Sequence, residues 1–247
     1  MIRRAALTLA LALAALPALA GDAARPVVRI ATEGAFPPFN SLDAAGRPAG
    51  FEVDLGNAIC ARERLDCSWV LTGWAGIIPG LTGGAYDVIM AGMAITPDRA
   101  REIAFSRPYF RDEEAPAGIF VGTHSFQTPS AGRIAVQEGT IHETHLRAQG
   151  LSVLAFPTAD AALQAVLDGR ADTTFGSPDF LQQRVFHTSR MLVILGTEQI
   201  SGGGAAAGFR KGETDLRENF NRALEALEKD GTIEKLRKKW FTPTRDI

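Results

Sequence analysis

Ile89-Met90-Ala91-Gly92-Met93-Ala94-Ile95-Thr96-Pro97-Asp98-Arg99 is an apolar run that ends in small residues and is followed by an arginine. Tyr86, Val88 and Ile89 suit a buried strand, and Gly92 and Ala94 leave the backbone open to close approach. Pro97 fits the first turn of a helix. Strand, open loop and helix in that order predict an α/β unit with a binding loop at the strand's carboxyl end. A guanidinium is a planar fork of donors that matches a carboxylate, so Arg99 predicts a small ligand carrying one. The same arginine could instead pair on the surface with Asp98 or Glu102.

Upstream, Val27 to Ala31 reads as a β-branched strand, and the prolines and glycine of Thr32-Glu33-Gly34-Ala35-Phe36-Pro37-Pro38-Phe39 force an aromatic-bearing loop after it. Apolar residues at near-helical spacing predict a helix from Phe51 to Arg64. A strand is expected from Cys67 to Leu71, then a short helix from Trp74 to Leu81 that ends at Gly83-Gly84. Alternating strands and helices imply an α/β fold with a largely parallel sheet.

The second half repeats the first. Arg29-Ile30-Ala31-Thr32-Glu33-Gly34 resembles Arg133-Ile134-Ala135-Val136-Gln137-Glu138-Gly139, and Gly84-Ala85-Tyr86-Asp87-Val88-Ile89-Met90 resembles Gly169-Arg170-Ala171-Asp172-Thr173-Thr174-Phe175. Either these are similar strand-to-turn patterns met by chance, or the chain builds two similar α/β lobes around a shared cleft. Phe105 to Val121, with Arg111-Asp112-Glu113-Glu114 at its middle, suits a crossover between lobes. The glycine-rich Gly202 to Gly208 suits the return. Leu216, Phe220, Ala223, Leu224 and Leu227 form one helical stripe and Ile233, Leu236 and Trp240 another, both expected to pack on the first lobe.

The chain has 247 residues and a formal charge of −2. It opens Met-Ile-Arg-Arg, continues with an apolar run from Ala5 to Leu19, and reaches Ala18-Leu19-Ala20, the form of a cleaved secretory leader. The run is shorter than the roughly 20 residues a membrane span needs, and Pro17 interrupts it. Loss of the leader removes Arg3 and Arg4 and leaves a mildly acidic protein, with no electrostatic reason to bind nucleic acid. Cys60 and Cys67 are the only cysteines. In an exported chain they are expected to form a disulfide, worth on the order of 2–3 kcal/mol by loop closure. A redox-active pair is the alternative, but that chemistry uses closer spacing.

Several motifs, weak singly and specific in this order, resemble one family. They are Thr32 to Phe39, Gly50-Phe51-Glu52-Val53-Asp54-Leu55, Gly76-Ile77-Ile78-Pro79-Gly80-Leu81, Ile95 to Arg99, Phe105-Ser106-Arg107-Pro108-Tyr109, Gln137-Glu138-Gly139-Thr140, and Asp230-Gly231-Thr232 through Lys239-Trp240-Phe241. The chain resembles the polar amino-acid-binding proteins of ABC importers, most nearly the lysine/arginine/ornithine, histidine and octopine group. The resemblance covers nearly all of the chain after the leader, and the spacing of Cys60 and Cys67 also matches it. It implies a two-lobed type II periplasmic-binding fold, each lobe a mostly parallel sheet flanked by helices, joined by two hinge crossovers. The implied division is a leader at 1–20, a first lobe at 27–112 and 206–247, and a second lobe at 113–205.

The resemblance also implies roles. Arg99 holds the ligand carboxylate, assisted by the backbone at Ala91, Gly92 and Ala94 and by the N–H groups of Thr140 and Ile141. Phe36 and Trp74 sandwich the ligand side chain, which suits a flat or cationic group. Glu33 meets a basic end. Ordinary core packing is the plainer reading of the two aromatics, and a solvated charge the plainer reading of Glu33. Ser177 stands where the family carries an aspartate for the ligand's α-amino group, leaving Asp179, a shifted Glu33, or a substituted amine to make up for it.

His142 and His145 have a spacing that can share a metal on a helix, but no further ligands accompany them, and neither metal nor cofactor is expected. Ser177 has no evident base for nucleophilic catalysis. The rival readings are a cyclohexadienyl dehydratase-like enzyme, for which Asp179 would be the acid, and a ligand-sensing module. The expected protein is a monomeric periplasmic binder, not an enzyme, that passes a cationic or polar amino acid or derivative to the permease subunits of an ABC importer.

Overall fold

The computed structural model of the chain describes residues 25–110, 118–124, 132–187, 191–200, 202 and 204–242. The expected leader at 1–20, the charged stretch at 111–114 and Gly203 lie outside them.

The first strand, β1 (Val27–Thr32), buries Ile30 and Ala31 completely. The proline-bearing segment after it leaves only a minimal hairpin, β2 (Ser41–Leu42) and β3 (Pro48–Ala49). Helix α1 (Phe51–Glu63) then buries Phe51, Leu55 and Ile59 and stops at Arg64, whose φ of 55° is left-handed. A Cys60–Cys67 disulfide ties its last turn to β4 (Asp66–Leu71). The helix expected from Trp74 is split into a 3-10 turn, Trp74–Gly76, and α2 (Ile77–Thr82), which ends at Gly83. Next come β5 (Val88–Ile89), α3 (Pro97–Glu102), with Pro97 in its first turn, and β6 (Ala104–Phe105).

A second run follows: β7 (Gly118–Thr123), β8 (Ile134–Gln137), α4 (Ile141–Ala148), β9 (Val153–Phe156), α5 (Ala159–Leu167), β10 (Thr173–Gly176), α6 (Pro178–His187) and β11 (Leu192–Glu198). The chain then returns through β12 (Gly208–Phe209) to α7 (Thr214–Lys229) and α8 (Thr232–Phe241). As expected, these last helices pack on the first sheet's side, with Phe220, Leu224 and Ile233 joining Phe51, Leu55 and Ile59 in one core.

The two larger sheets are separate, in the orders β4-β1-β5-β12-β6 and β11-β7-β10-β8-β9. In the first, β1 pairs in parallel with β4 and β5, while β12 runs antiparallel between β5 and β6. In the second, β8 pairs in parallel with β9 and β10, while β7 runs antiparallel between β10 and β11. The antiparallel insert is in each case the strand that arrives from the other sheet. Both crossings sit side by side: Tyr109 N–H donates to the Ala205 carbonyl at 3.0 Å, and Ala205 N–H donates to the Phe110 carbonyl at 2.8 Å.

The internal repeat is a repeat of bonding as well as of letters. Asp87 accepts from the backbone N–H of Arg29 at 3.0 Å and from its guanidinium at 3.0 and 2.8 Å, while the same guanidinium donates to the Gly84 carbonyl at 3.0 Å. Asp172 accepts from the backbone N–H of Arg133 at 2.8 Å and from its guanidinium at 3.2 and 2.9 Å, with the Gly169 carbonyl at 3.0 Å. Each staple fixes the entry of a central parallel strand against the turn before its neighbour. The first carries one more partner, Arg210 beyond β12, at 3.0 Å from Asp87.

Burial opposes the charge on Asp87, but the bonds from Arg29 and Arg210 outweigh it and hold its pKa down to about 2. A depressed carboxylate contributes stability above its unfolded value near 3.8 and loses it as pH falls through about 2. Allowing for solvent screening, Asp87→Asn should cost about 1–2 kcal/mol at neutral pH and Asp172→Asn less, with the Asp87 cost vanishing in acid. Urea unfolding of both variants between pH 7 and 2.5 measures this, and a larger cost at Asp172 would contradict it.

Candidate functional site

Loops and α3 on the first sheet's side and residues of the second sheet with its helices enclose a cavity of about 760 Å³. Glu33, Phe36, Trp74, Ala91, Gly92, Ala94, Arg99, Thr140, Ile141 and Ser177 all border it. So do Gln137, Asp179 and Phe180, to which the sequence reading gave no settled part.

Arg99 is placed by the start of α3, where the Thr96 side chain accepts from the Arg99 backbone N–H at 3.2 Å. Its guanidinium donates to the Ala94 carbonyl at 2.9 Å and, across the cleft, to the Gly139 carbonyl at 3.1 Å. It also lies over the Trp74 ring, 5.1 Å from the centroid. Asp98, one of the two surface partners of the alternative reading, pairs with Arg101 instead. Among the described residues no carboxylate pairs with Arg99. Burial lowers its pKa to about 10, which leaves it a cation at neutral pH.

The donors around that cation divide unequally. Gly92 N–H is turned inward and donates to the Glu52 carboxylate at 2.7 Å, so this loop offers the cavity the N–H of Ala94, which meets no acceptor among the described residues. The bare Cα of Gly92 matters for another reason. With φ at 64°, a Cβ there would come within 3.0 Å of the Phe36 ring. On the opposite wall Thr140 caps α4, its side chain accepting from Glu143 N–H at 3.2 Å, while Glu143 in turn accepts from Gly139 N–H at 2.7 Å. The N–H groups of Thr140 and Ile141 lack acceptors among the described residues and stand at a helix N-terminus, next to the carbonyl that Arg99 reaches. Guanidinium, Ala94 N–H and this helix end together can hold a carboxylate.

Each expected aromatic platform is engaged by the protein. Phe36 stacks on Phe39 at 5.4 Å and on Phe180 of α6 at 5.6 Å, both at 13°. Trp74 carries Arg99. At the cavity's other polar point, Glu33 Oε1 accepts from the Gln137 amide at 2.7 Å. Burial pushes the Glu33 pKa up to about 7, against the lowering effect of that bond and with a smaller upward push from Asp160.

Ser177 is the one residue between β10 and α6, at the position that the repeat matches to Gly92, and its carbonyl accepts from Leu181 N–H at 3.0 Å. Asp179 lies in the first turn of α6. His142 borders the cavity, but His145 meets Glu198 at 2.6 Å, and among the described residues no group of three or more His, Cys, Asp or Glu could hold a metal. Sequence reasoning gave no role to Glu52, Gln137 or Phe180. Glu52 had one visible signal, a carboxylate between apolar Phe51 and Val53 in a helix's first turn.

Residues 28–243 match the family described as bacterial extracellular solute-binding proteins, family 3. The chain is 32% identical over 256 residues to the histidine-binding periplasmic protein of Salmonella typhimurium, covering 97% of each chain. It is 31% identical over 256 residues to the lysine/arginine/ornithine-binding periplasmic protein of Escherichia coli, again covering 97% of each. Among solved structures, a periplasmic His/Glu/Gln/Arg/opine family-binding protein from Silicibacter pomeroyi in complex with lysine is 36% identical, with a TM-score of 0.83 over 89% of this chain and 99% of that one. These relatives are binding proteins, and the paired sheets with their double crossing are the type II periplasmic-binding fold. With a cleft between the sheets whose donors can hold a carboxylate, and a family match over nearly all its described length, the chain belongs to the family 3 extracellular solute-binding proteins.

Proposed function

We propose that this chain captures a small amino acid or amino-acid derivative with a cationic side chain in the periplasm, and delivers it as a monomer to the permease subunits of an ABC importer. The observation that carries this reading is the Arg99 guanidinium, facing the cavity beside a helix N-terminus, with two carbonyl oxygens and the Trp74 ring as partners and no carboxylate among the described residues. Arg99, Ala94 N–H, Thr140 N–H and Ile141 N–H take the ligand carboxylate. Glu33 takes the cationic end, and Ala91, Gly92, Phe36, Trp74 and Ser177 line the space between. The first lobe is taken as 27–112 with 206–247 and the second as 113–205, after removal of the leader at 1–20. The relatives' ligands, histidine and lysine/arginine/ornithine, agree with a basic side chain.

A thermal-shift panel of amino acids tests the ligand class. Arginine- and lysine-like ligands should stabilise the protein, by about 2.7 kcal/mol at a hundredfold excess over Kd. Stabilisation by acidic or aliphatic amino acids alone would sink the proposal.

Arg99→Ala should weaken binding by about 3–5 kcal/mol, because the enclosed ligand carboxylate would lose its cation. The ligand-free melting curve should barely move. Calorimetry that showed a loss below about tenfold, or roughly 1.4 kcal/mol, would reduce Arg99 to a structural residue.

The pKa of Glu33 sets a pH dependence. A raised carboxyl is protonated on the acid side, and a cationic ligand favours its ionised form, so binding should expel the proton. Affinity for arginine should fall about tenfold from pH 8 to pH 6, the window that brackets a pKa of about 7. Asp160, paired with Arg184, also acts on Glu33, and His142 shares the cavity. Glu33→Gln separates their contributions: it should bind more weakly with a flat profile over this window. Equal pH dependence in the variant would remove Glu33 from contact with the cation.

A further inference from the structure

Glu33 and Gln137 occupy the same place in the two copies of the repeat, the fourth residue after Arg29 and after Arg133. Because the copies face each other, these side chains meet across the cleft. Gln137 is 7% exposed, and its amide nitrogen donates to Glu33 Oε1 at 2.7 Å and to the Pro157 carbonyl at 3.3 Å. Two acceptors on one side dictate which way the amide turns. The nitrogen faces them, and Gln137 Oε1 faces elsewhere.

That leaves two oxygens with no donor among the described residues, Glu33 Oε2 and Gln137 Oε1. Neither is among the buried polar atoms without a partner, and both residues border the cavity. They come from different side chains on opposite walls, and together they carry at most one negative charge. A cation that meets Glu33 Oε2 therefore finds a second, uncharged acceptor, Gln137 Oε1, on the facing wall. A guanidinium spreads its donors in a plane wide enough to reach two groups, whereas an ammonium radiates three donors from one point and needs no second wall.

We propose that Gln137 is a specificity-determining residue of the cleft: with Glu33 it forms a two-acceptor fork, closed across the lobes, that selects a guanidinium head group over an ammonium. This rests on the reading that Arg99 holds the ligand carboxylate and Glu33 its cationic end. Gln137 is also a positioning residue for Glu33, since its amide bond opposes the rise in the Glu33 pKa caused by burial.

Calorimetry with L-arginine and L-lysine, on the wild type and on Gln137→Met and Gln137→Glu, tests the fork. The wild type should prefer arginine by about tenfold or more, the order set by an unmet polar group in a binding site. Gln137→Met should weaken arginine by about tenfold and lysine by less than about threefold, and should move the pH midpoint of arginine binding upward. Gln137→Glu gives either cation a second carboxylate, so the preference should narrow there as well. Ligand-free melting curves identify a variant that has failed to fold, and the remaining variant then decides. If the wild type binds both cations equally, or if arginine and lysine fall in parallel in the variants, the fork is wrong while the proposed function stands. If neither cation binds the wild type, the proposed function falls and the fork with it.

Discussion

The carboxyl of Glu52 has no exposure to solvent, yet three segments of the first sheet's side depend on it. Glu52 accepts from the Asn40 amide at 2.8 Å, from Gly92 N–H at 2.7 Å and from the Tyr109 hydroxyl. Asn40 then accepts from Gly34 N–H at 2.8 Å. One carboxyl thus joins the aromatic loop after β1, the small-residue loop after β5 and the segment that leaves for the second sheet. Burial raises the pKa of Glu52, and the three donors work in the opposite direction. A buried acceptor of this kind is costly unless its lone pairs are met, so the loops that meet them are held in one arrangement. This fixes the wall on which Arg99 stands.

The cleft is built on a similar economy of charge. Arg99 is satisfied by two carbonyls and a ring face, none of which neutralises it. Glu33 is bound by a neutral amide, and burial brings its pKa close to physiological pH. The cation is therefore kept available and the anion is held near the point of ionising. Both contacts also cross between walls, from Arg99 to Gly139 and from Gln137 to Glu33, with Phe36 on Phe180 as a third. Polar ends and aromatic middle are spanned at once.

Much of this was legible in the order of residues. The strands at Val27 and Asp66, the helix from Phe51, the proline-started helix before Arg99 and the repeat all follow from periodicity and punctuation. The repeat also held the two Arg–Asp staples, although nothing in the letters shows that Arg29 reaches Asp87 or Arg133 reaches Asp172. Two-residue strands such as β6 and β12 are too short to show a period, so the antiparallel insert of the first sheet had no signal. Residues that border or shape the cavity were legible where chemistry and chain position coincide, as in Arg99 beside a small-residue loop. They were missed where the role depends on distant partners: Glu52 on Tyr109, Gln137 on Glu33, and Phe180 on Phe36. Gly92 was expected to offer its backbone N–H to a ligand for the same lack of a signal, whereas that N–H donates to Glu52.

The strand order has a consequence for the time course of folding. All five strands of the second sheet lie within Gly118 to Glu198, a continuous stretch that needs nothing from elsewhere to complete its ladder. The first sheet is interrupted: among the described residues β6 pairs only with β12, and β12 lies beyond the whole second sheet in the chain. Closing that ladder means bringing Phe105 to Gly208 across a long loop, whose entropy must be met before the contact rewards it. A chain emerging from its amino end therefore carries β6 and the inner edge of β5 unpaired until nearly all of it has appeared. The contiguous half can be finished first, and the half that holds Arg99 becomes whole only when the last fifth of the chain arrives, bringing α7 and α8 to cover Phe51 and Leu55.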